Sequence, residues 1–311
     1  MSIITGQVHR SGGSVYDVGV DGSLIRCRIK GKTLAVEERV HAPIAVGDFL
    51  EIEPDPYEDA AGWILNRLER TTQIDRWSRK HRAMQVLAAN VDQVACVSAP
   101  RSPPFRPRFI DRLLVSAEHA GVESLIILNK ADLGIPATVA ERIADFRRMG
   151  YRVLACSAVT GEGVAEARAA LGSALTLICG QSGVGKSSLL NAWDPGLELR
   201  TGAVSRKFDR GVHTTIRAEL LELADGGRLI DSPGIRELEL GAIEARDIRH
   251  RFRDFQRWLL RCEYSACLCD GEPGCAVRAA AEAGQIHPDR YDSYLRLLRE
   301  VLDRERERAH A

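Results

Sequence analysis

One eight-residue stretch constrains this chain more than any other: Gly180-Gln181-Ser182-Gly183-Val184-Gly185-Lys186-Ser187. It fits G-x-x-x-x-G-K-[ST] and lies between an apolar run at 175–179 and a helix-like segment at 188–193. That strand–loop–helix context is what a phosphate-binding loop needs. The glycines let backbone N–H groups converge on an anion, and the following helix adds its positive end. Lys186 is assigned to the β and γ phosphates of a nucleotide and the Ser187 hydroxyl to Mg²⁺, with Ser188 beside them. Around the loop, strand-like runs at 91–98, 124–128 and 152–156 alternate with helical segments at 137–148 and 164–171. Phe109, Leu113, Leu114 and Ala117 repeat at helical spacing. This rhythm predicts a mostly parallel sheet with helices on both faces.

Two weaker motifs gain meaning behind the phosphate loop. Asp231-Ser232-Pro233-Gly234 follows a short strand; Asp231 can hold Mg²⁺ and the Gly234 N–H can face a γ-phosphate. Between the two, Gly211-Val212-His213-Thr214-Thr215 offers a hydroxyl, taken as that of Thr215, to complete the Mg²⁺ shell. Upstream, Asn129-Lys130-Ala131-Asp132 ends the strand at 124–128. Guanine presents N1–H and an N2 amino group that the Asp132 carboxylate accepts together; adenine has no such pair. Asn129 and the stem of Lys130 brace that loop. Cys156-Ser157-Ala158, at another strand end, supplies a backbone amide for guanine O6.

The order of these motifs is unusual. A familiar GTPase runs phosphate loop, switch Thr, Asp-x-x-Gly, Asn-Lys-x-Asp, Ser-Ala. Here the last two come first. Termini that lie close together tolerate such rearrangement, so the chain reads as a circularly permuted α/β P-loop GTPase. Permutation also puts Asp231–Gly234 immediately before the chain leaves for its C-terminal part. A γ-phosphate that orders this switch is therefore expected to reposition residues 240–311.

The flanking regions differ in texture. Residues 1–75 hold about five short alternating strands and no helical period, which predicts a small barrel of OB-fold type. In 24–30, Ile25, Cys27 and Ile29 alternate with Arg26, Arg28 and Lys30. That basic stripe suits a nucleic-acid backbone or a merely solvated face. The chain balances 43 Lys+Arg against 43 Asp+Glu, which excludes a histone-like blanket of positive charge. The balance is segregated, with an acidic strip at 33–60 and a basic stretch from Arg67 to Arg82. No apolar run is long enough for a membrane span, and the first residues show no signal-peptide pattern, so a cytoplasmic monomer is expected. The last 70 residues are helical and rich in Arg and Glu.

Eight cysteines in 311 residues are too dilute for a disulfide scaffold. Cys27, Cys96, Cys156 and Cys179 sit in apolar runs as small core residues. Cys262, Cys267, Cys269 and Cys275 fall in one window as C-x4-C-x-C-x5-C, which reads as a zinc site that folds a segment with little core of its own. Three domains follow, with boundaries at 1–75, 76–240 and 241–311.

The permuted motifs, N-terminal barrel and cysteine cluster together resemble the bacterial small-ribosomal-subunit biogenesis GTPases, the RsgA or YjeQ family, over nearly the whole chain. The resemblance implies an OB-fold, a permuted GTPase and a zinc domain that bind the 30S subunit and 16S rRNA late in maturation. It also implies weak GTP hydrolysis stimulated by that subunit. The family's catalytic His lies in a Gly-x-His-Thr-Thr context, which carries the role to His213; a His packed against the switch is the alternative. Ile235 stands where Ras-like enzymes hold a water-orienting Gln. The family's third zinc ligand is His where this chain has Cys269, which keeps His250 and His287 as substitute ligands. A GTPase of another RNA process, such as tRNA modification, and an RNA-binding module with a structural nucleotide site are the other readings.

Overall fold

The computed structural model describes residues 3–31, 43–201, 218–232 and 239–309. Strands β1 (Ile4–Gly12), β2 (Val15–Val20), β3 (Ser23–Ile29), β4 (Phe49–Pro54) and β5 (Ala61–Arg67) close on themselves in the order β1-β2-β3-β5-β4-β1. Only the β3–β5 pair is parallel. Strand alternation fills the interior with Val8, Val18, Cys27, Leu50, Ile52 and Ile64, all fully buried, and leaves Arg26 and Arg28 outside. This is the five-stranded barrel that the turn spacing predicts.

The basic stretch that follows is not one surface. Arg70 turns inward and grips the fully buried Asp48 with two hydrogen bonds of 2.7 Å, pinning the barrel to what comes next. A hairpin, β6 (Gln73–Ser78) and β7 (Ala83–Ala89), forms its own two-stranded sheet there. The sequence gives little sign of it, because its arginines mask the alternation.

Beyond the hairpin the chain alternates as expected: β8 (Gln93–Ser98), α1 (Pro107–Ala120), β9 (Glu123–Leu128), α2 (Ala137–Arg148), β10 (Arg152–Ala155), α3 (Val164–Ala169), β11 (Leu175–Gly180) and α4 (Lys186–Trp193). Strands β12 (Glu219–Glu222) and β13 (Arg228–Asp231) complete the sheet in the order β10-β9-β8-β11-β13-β12. The first five are parallel and β12 is antiparallel. The barrel joins this sheet edge where Arg10 of β1 pairs with Glu219 of β12. Helices cover both faces, and the strands between them are continuous apolar runs.

The C-terminal part contains α5 (Ala245–Ile248), α6 (Gln256–Leu259), α7 (Ala276–Glu282) and the 22-residue α8 (Pro288–Ala309). It has a substantial core, contrary to the sequence-based expectation. Phe252, Phe255 and Tyr294 stack within 5.2 Å of one another, and Ile248, Val277, Leu298 and Val301 are fully buried around them. The expectation fails because these residues are spaced singly among arginines and acids. Among the described residues no helix is long and apolar enough to cross a membrane.

Candidate nucleotide and metal sites

The described motifs converge at the C-terminal ends of the parallel strands, where open α/β sheets place their ligands. Gly180 ends β11 and Lys186 opens α4, so the phosphate loop spans the turn between them. Gly185 caps α4 with φ of 89°, and a Cβ there would collide with the Asn129 amide nitrogen. Only glycine satisfies both constraints. Gln181, Ser182, Gly183 and Val184 form the loop, and the Lys186 Nζ donates to the Gly180 carbonyl at 2.8 Å. Ser187 and Ser188 follow in the first turn of α4, both half-buried.

Asn129 ties three loops together. Its Nδ2 donates to the carbonyls of Val184 (3.0 Å) and Gly185 (3.3 Å), and its Oδ1 accepts from the Ala158 N–H at 3.0 Å. Lys130, in a left-handed conformation with φ of 64°, donates to the carbonyls of Gly183 (2.7 Å) and Ser102 (2.6 Å). Ala131 N–H bonds the Cys156 carbonyl, and buried Ser157 accepts through Oγ from Val159 and Thr160. Asp132 stands exposed on the short turn that follows. The part played by Ser102 has no motif behind it; a proline-rich loop at a strand end is the one sign.

Asp231 closes β13 opposite Glu219. Among the described residues its Oδ1 is buried without a hydrogen-bond partner, and burial pushes its carboxyl above the usual range although the Lys186 ammonium opposes this. An orphan carboxylate oxygen is costly unless something meets it. The hydration shell of a Mg²⁺ ion fits that need, since Mg²⁺ keeps several waters and takes few protein ligands. His213, Thr214, Thr215 and Gly234, together with Ile235, lie outside the described residues.

The four clustered cysteines meet. Their Sγ atoms all lie within 4.8 Å of one another. Tetrahedral zinc with Zn–S bonds of about 2.3 Å requires sulfurs roughly 3.8 Å apart, so the donor set fits such an ion. Backbone N–H groups of Cys269 and Arg278 donate to the sulfurs of Cys267 (3.3 Å) and Cys275 (3.4 Å). Burial pushes the Cys267 thiol up to about 12 and the Cys269 thiol higher. At Cys262 burial is outweighed by the N–H groups of Ala276 and Val277, which hold the thiol below its ordinary value. Neither His250 nor His287 belongs to the group: His250 accepts from Arg249, and His287 accepts from the Asp289 N–H. The other four cysteines are buried, and burial raises Cys156 to about 11 and Cys27 and Cys179 to about 12. Such thiols are inert.

Comparison with known proteins agrees with this arrangement. The RsgA GTPase sequence family matches residues 67–241. The chain is 42% identical to the small ribosomal subunit biogenesis GTPase RsgA of Moorella thermoacetica, covering 97% of this chain and 98% of that one. It is 39% identical to the RsgA of Chlorobaculum parvum, over 95% and 97%. Among solved structures, YjeQ from Thermotoga maritima superposes with a TM-score of 0.72 at 32% identity, covering 97% and 99% of the two chains. YloQ, described as a circularly permuted GTPase, gives 0.68 at 27%, covering 97% and 96%. These relatives support the ribosomal reading and lend nothing to tRNA modification. By its motif order, its barrel, its cysteine cluster and this full-length similarity, the chain belongs to the RsgA GTPase family.

Proposed function

We propose that this protein hydrolyses GTP while bound to an assembling small ribosomal subunit and its 16S rRNA, acting as a monomer in the cytoplasm. The observation that carries the reading is the Asn129 side chain, which joins the base-selecting loops to the phosphate loop in a chain similar to RsgA from end to end. In this reading Asp132 accepts from the guanine edge, the Ala158 N–H meets O6, and Lys186 lies along the β and γ phosphates. Residues 180–188 cradle the phosphates through the backbone. Ser187, Asp231 and Thr215 hold Mg²⁺, which supplies charge neutralisation at the phosphates. Thr214 and Gly234 flank the γ-phosphate. His213 orients the attacking water, a task that Ile235 has no polar atom to perform.

The cysteine group holds one zinc ion, which supplies a cross-link between the loop at 262–269 and the start of α7. The working division is a barrel over 1–75 that meets RNA through Arg26 and Arg28, a GTPase over 76–240 and a zinc domain over 241–311. The deciding measurement is GTP turnover with and without purified 30S subunits at several salt concentrations. Stimulation that falls as salt rises is expected, because phosphate contacts release counterions. Turnover indifferent to the subunit would overturn the reading.

A further inference from the structure

A groove of about 660 Å³ opens between the start of α1, the tip of the β6–β7 hairpin and α8. None of its lining residues belongs to the nucleotide motifs or the cysteine group. The volume lies within the range of about 300–1,000 Å³ typical of ligand clefts. Its lining includes five arginines and the half-buried rings of Phe105 and Phe109, against Glu239, Asp289 and Glu300, with Asp292 beside them as a fourth carboxylate.

Three features of this groove call for an anion. Arg106 is exposed and, among the described residues, has no carboxylate within reach, while Arg108 and Arg296 share the single carboxylate of Asp292 at 2.6 and 2.9 Å. The other two arginines are matched, Arg112 by Glu300 and Arg79 by Glu239. Secondly, α1 opens without an acidic residue in its first turn and without a side-chain cap, and Arg106 occupies its N-cap. A helix N-terminus is already a positive end, so guanidinium groups there raise a potential that a bound anion relieves. Thirdly, Ser293 is 2% exposed, lines the groove and has an Oγ without a hydrogen-bond partner among the described residues. Buried hydroxyls are nearly always satisfied.

We propose that this groove holds one or two nucleotides of single-stranded RNA, with a base against Phe105 and Phe109 and phosphates on Arg106, Arg108 and Arg296. Ser293 Oγ donates to a phosphate oxygen. Aromatic rings beside a cationic track are how single strands are held without regard to sequence, because every base has a face to stack. The floor also reaches the switch exit, since Glu300 accepts from the Leu240 N–H at 3.1 Å. The identification of the RNA as ribosomal rests on the function proposed above; the groove's chemistry does not.

The test uses the full chain saturated with GDP and a short fluorescent oligoribonucleotide carrying 4-thiouridine. Anisotropy should show Arg106→Glu weakening binding about fivefold or more, and Arg106→Gln lowering the magnitude of the slope of log K against log salt by about 0.7, the single-strand value for one phosphate contact. Photo-crosslinks should map to the peptide holding Phe105 and Phe109, and persist in an Arg26→Ala/Arg28→Ala barrel variant. Unchanged affinity in both Arg106 variants, each with parental GDP affinity and melting temperature, would overturn the proposal. So would crosslinks confined to the barrel, or equal competition by polyglutamate, which has the charge without the bases. Subunit-stimulated turnover of the parent is measured separately. Stimulation with an indifferent groove sinks this inference alone, and a crosslinked groove without stimulation sinks the ribosomal reading alone.

Discussion

Asn129 is 1% exposed and uses both ends of its amide on backbone groups of other loops. Replacing it with Ala strands two carbonyls and one N–H, each hydrogen bond being worth about 0.5–1.5 kcal/mol. Asn129→Ala should weaken GTP binding by about 10–100-fold in a fluorescent-nucleotide titration; unchanged affinity would show that the loops hold their positions without it. In the proposed reading Asp132 bears on selectivity instead. Two hydrogen bonds to a carboxylate are worth about 1.5–3 kcal/mol each, so Asp132→Ala should reduce discrimination of GTP over ATP by at least about 100-fold in competition. His213→Ala should cut subunit-stimulated turnover on the order of 100-fold while GTP affinity stays nearly constant. Loss of affinity with turnover intact would remove His213 from the chemistry.

At the scale of elements, α1 shows what a sequence can and cannot display. Its inward residues Ile110, Leu113, Leu114 and Ala117 are buried against the sheet, and their spacing is legible without a structure. Its outer face carries Arg108, Asp111, Arg112, Val115 and Glu118, one helical stripe that reads as solvated. In the structure this stripe is the dock for the C-terminal part. Arg108 pairs with Asp292, Arg112 with Glu300, Glu118 with Arg253, and Asp111 with Arg290 at 2.7 Å. The partners lie more than 130 residues away along the chain, so no local pattern announces them. The loops that Asn129 joins are legible because each is a short contiguous motif; the hairpin is local but hidden by its arginines, and only the dock is long-range. Arg290 and Asp111 are both fully buried, and Arg290 also bonds Asp254 and lies 4.2 Å from the Phe252 ring centre. Removing one member of such a pair leaves an uncompensated buried charge at a cost of about 3–5 kcal/mol. Arg290→Met should therefore lower stability by that order in urea denaturation, whereas Arg108→Met, at an exposed pair, should cost about 1 kcal/mol or less. Equal effects would mean that the buried pair contributes no more than a surface one.

For the whole molecule the question is what moves when the nucleotide changes. The segment leaving the switch is held from several sides: Trp77 N–H bonds the Glu239 carbonyl, Asp75 accepts from the Ala242 N–H, and Arg304 of α8 donates to the carbonyls of Leu240 and Ile243. With α8 also docked on α1, an independent swing of residues 240–311 would have to break these bonds and the buried pairs together. The same anchoring bears on the metal. A cluster that alone folded its domain would, on chelation, release everything from α5 onward. Here α8 is also held by the aromatic core and by its ion pairs to α1. Chelation should therefore raise hydrogen exchange through the 262–283 segment, while α1 and the 290–304 stretch of α8 keep their protection. Loss of protection in α8 in step with the cysteine loop would show that the core and the dock depend on the metal. Exchange unchanged throughout, with the chelated protein verified to be free of metal, would assign the four thiols to packing alone.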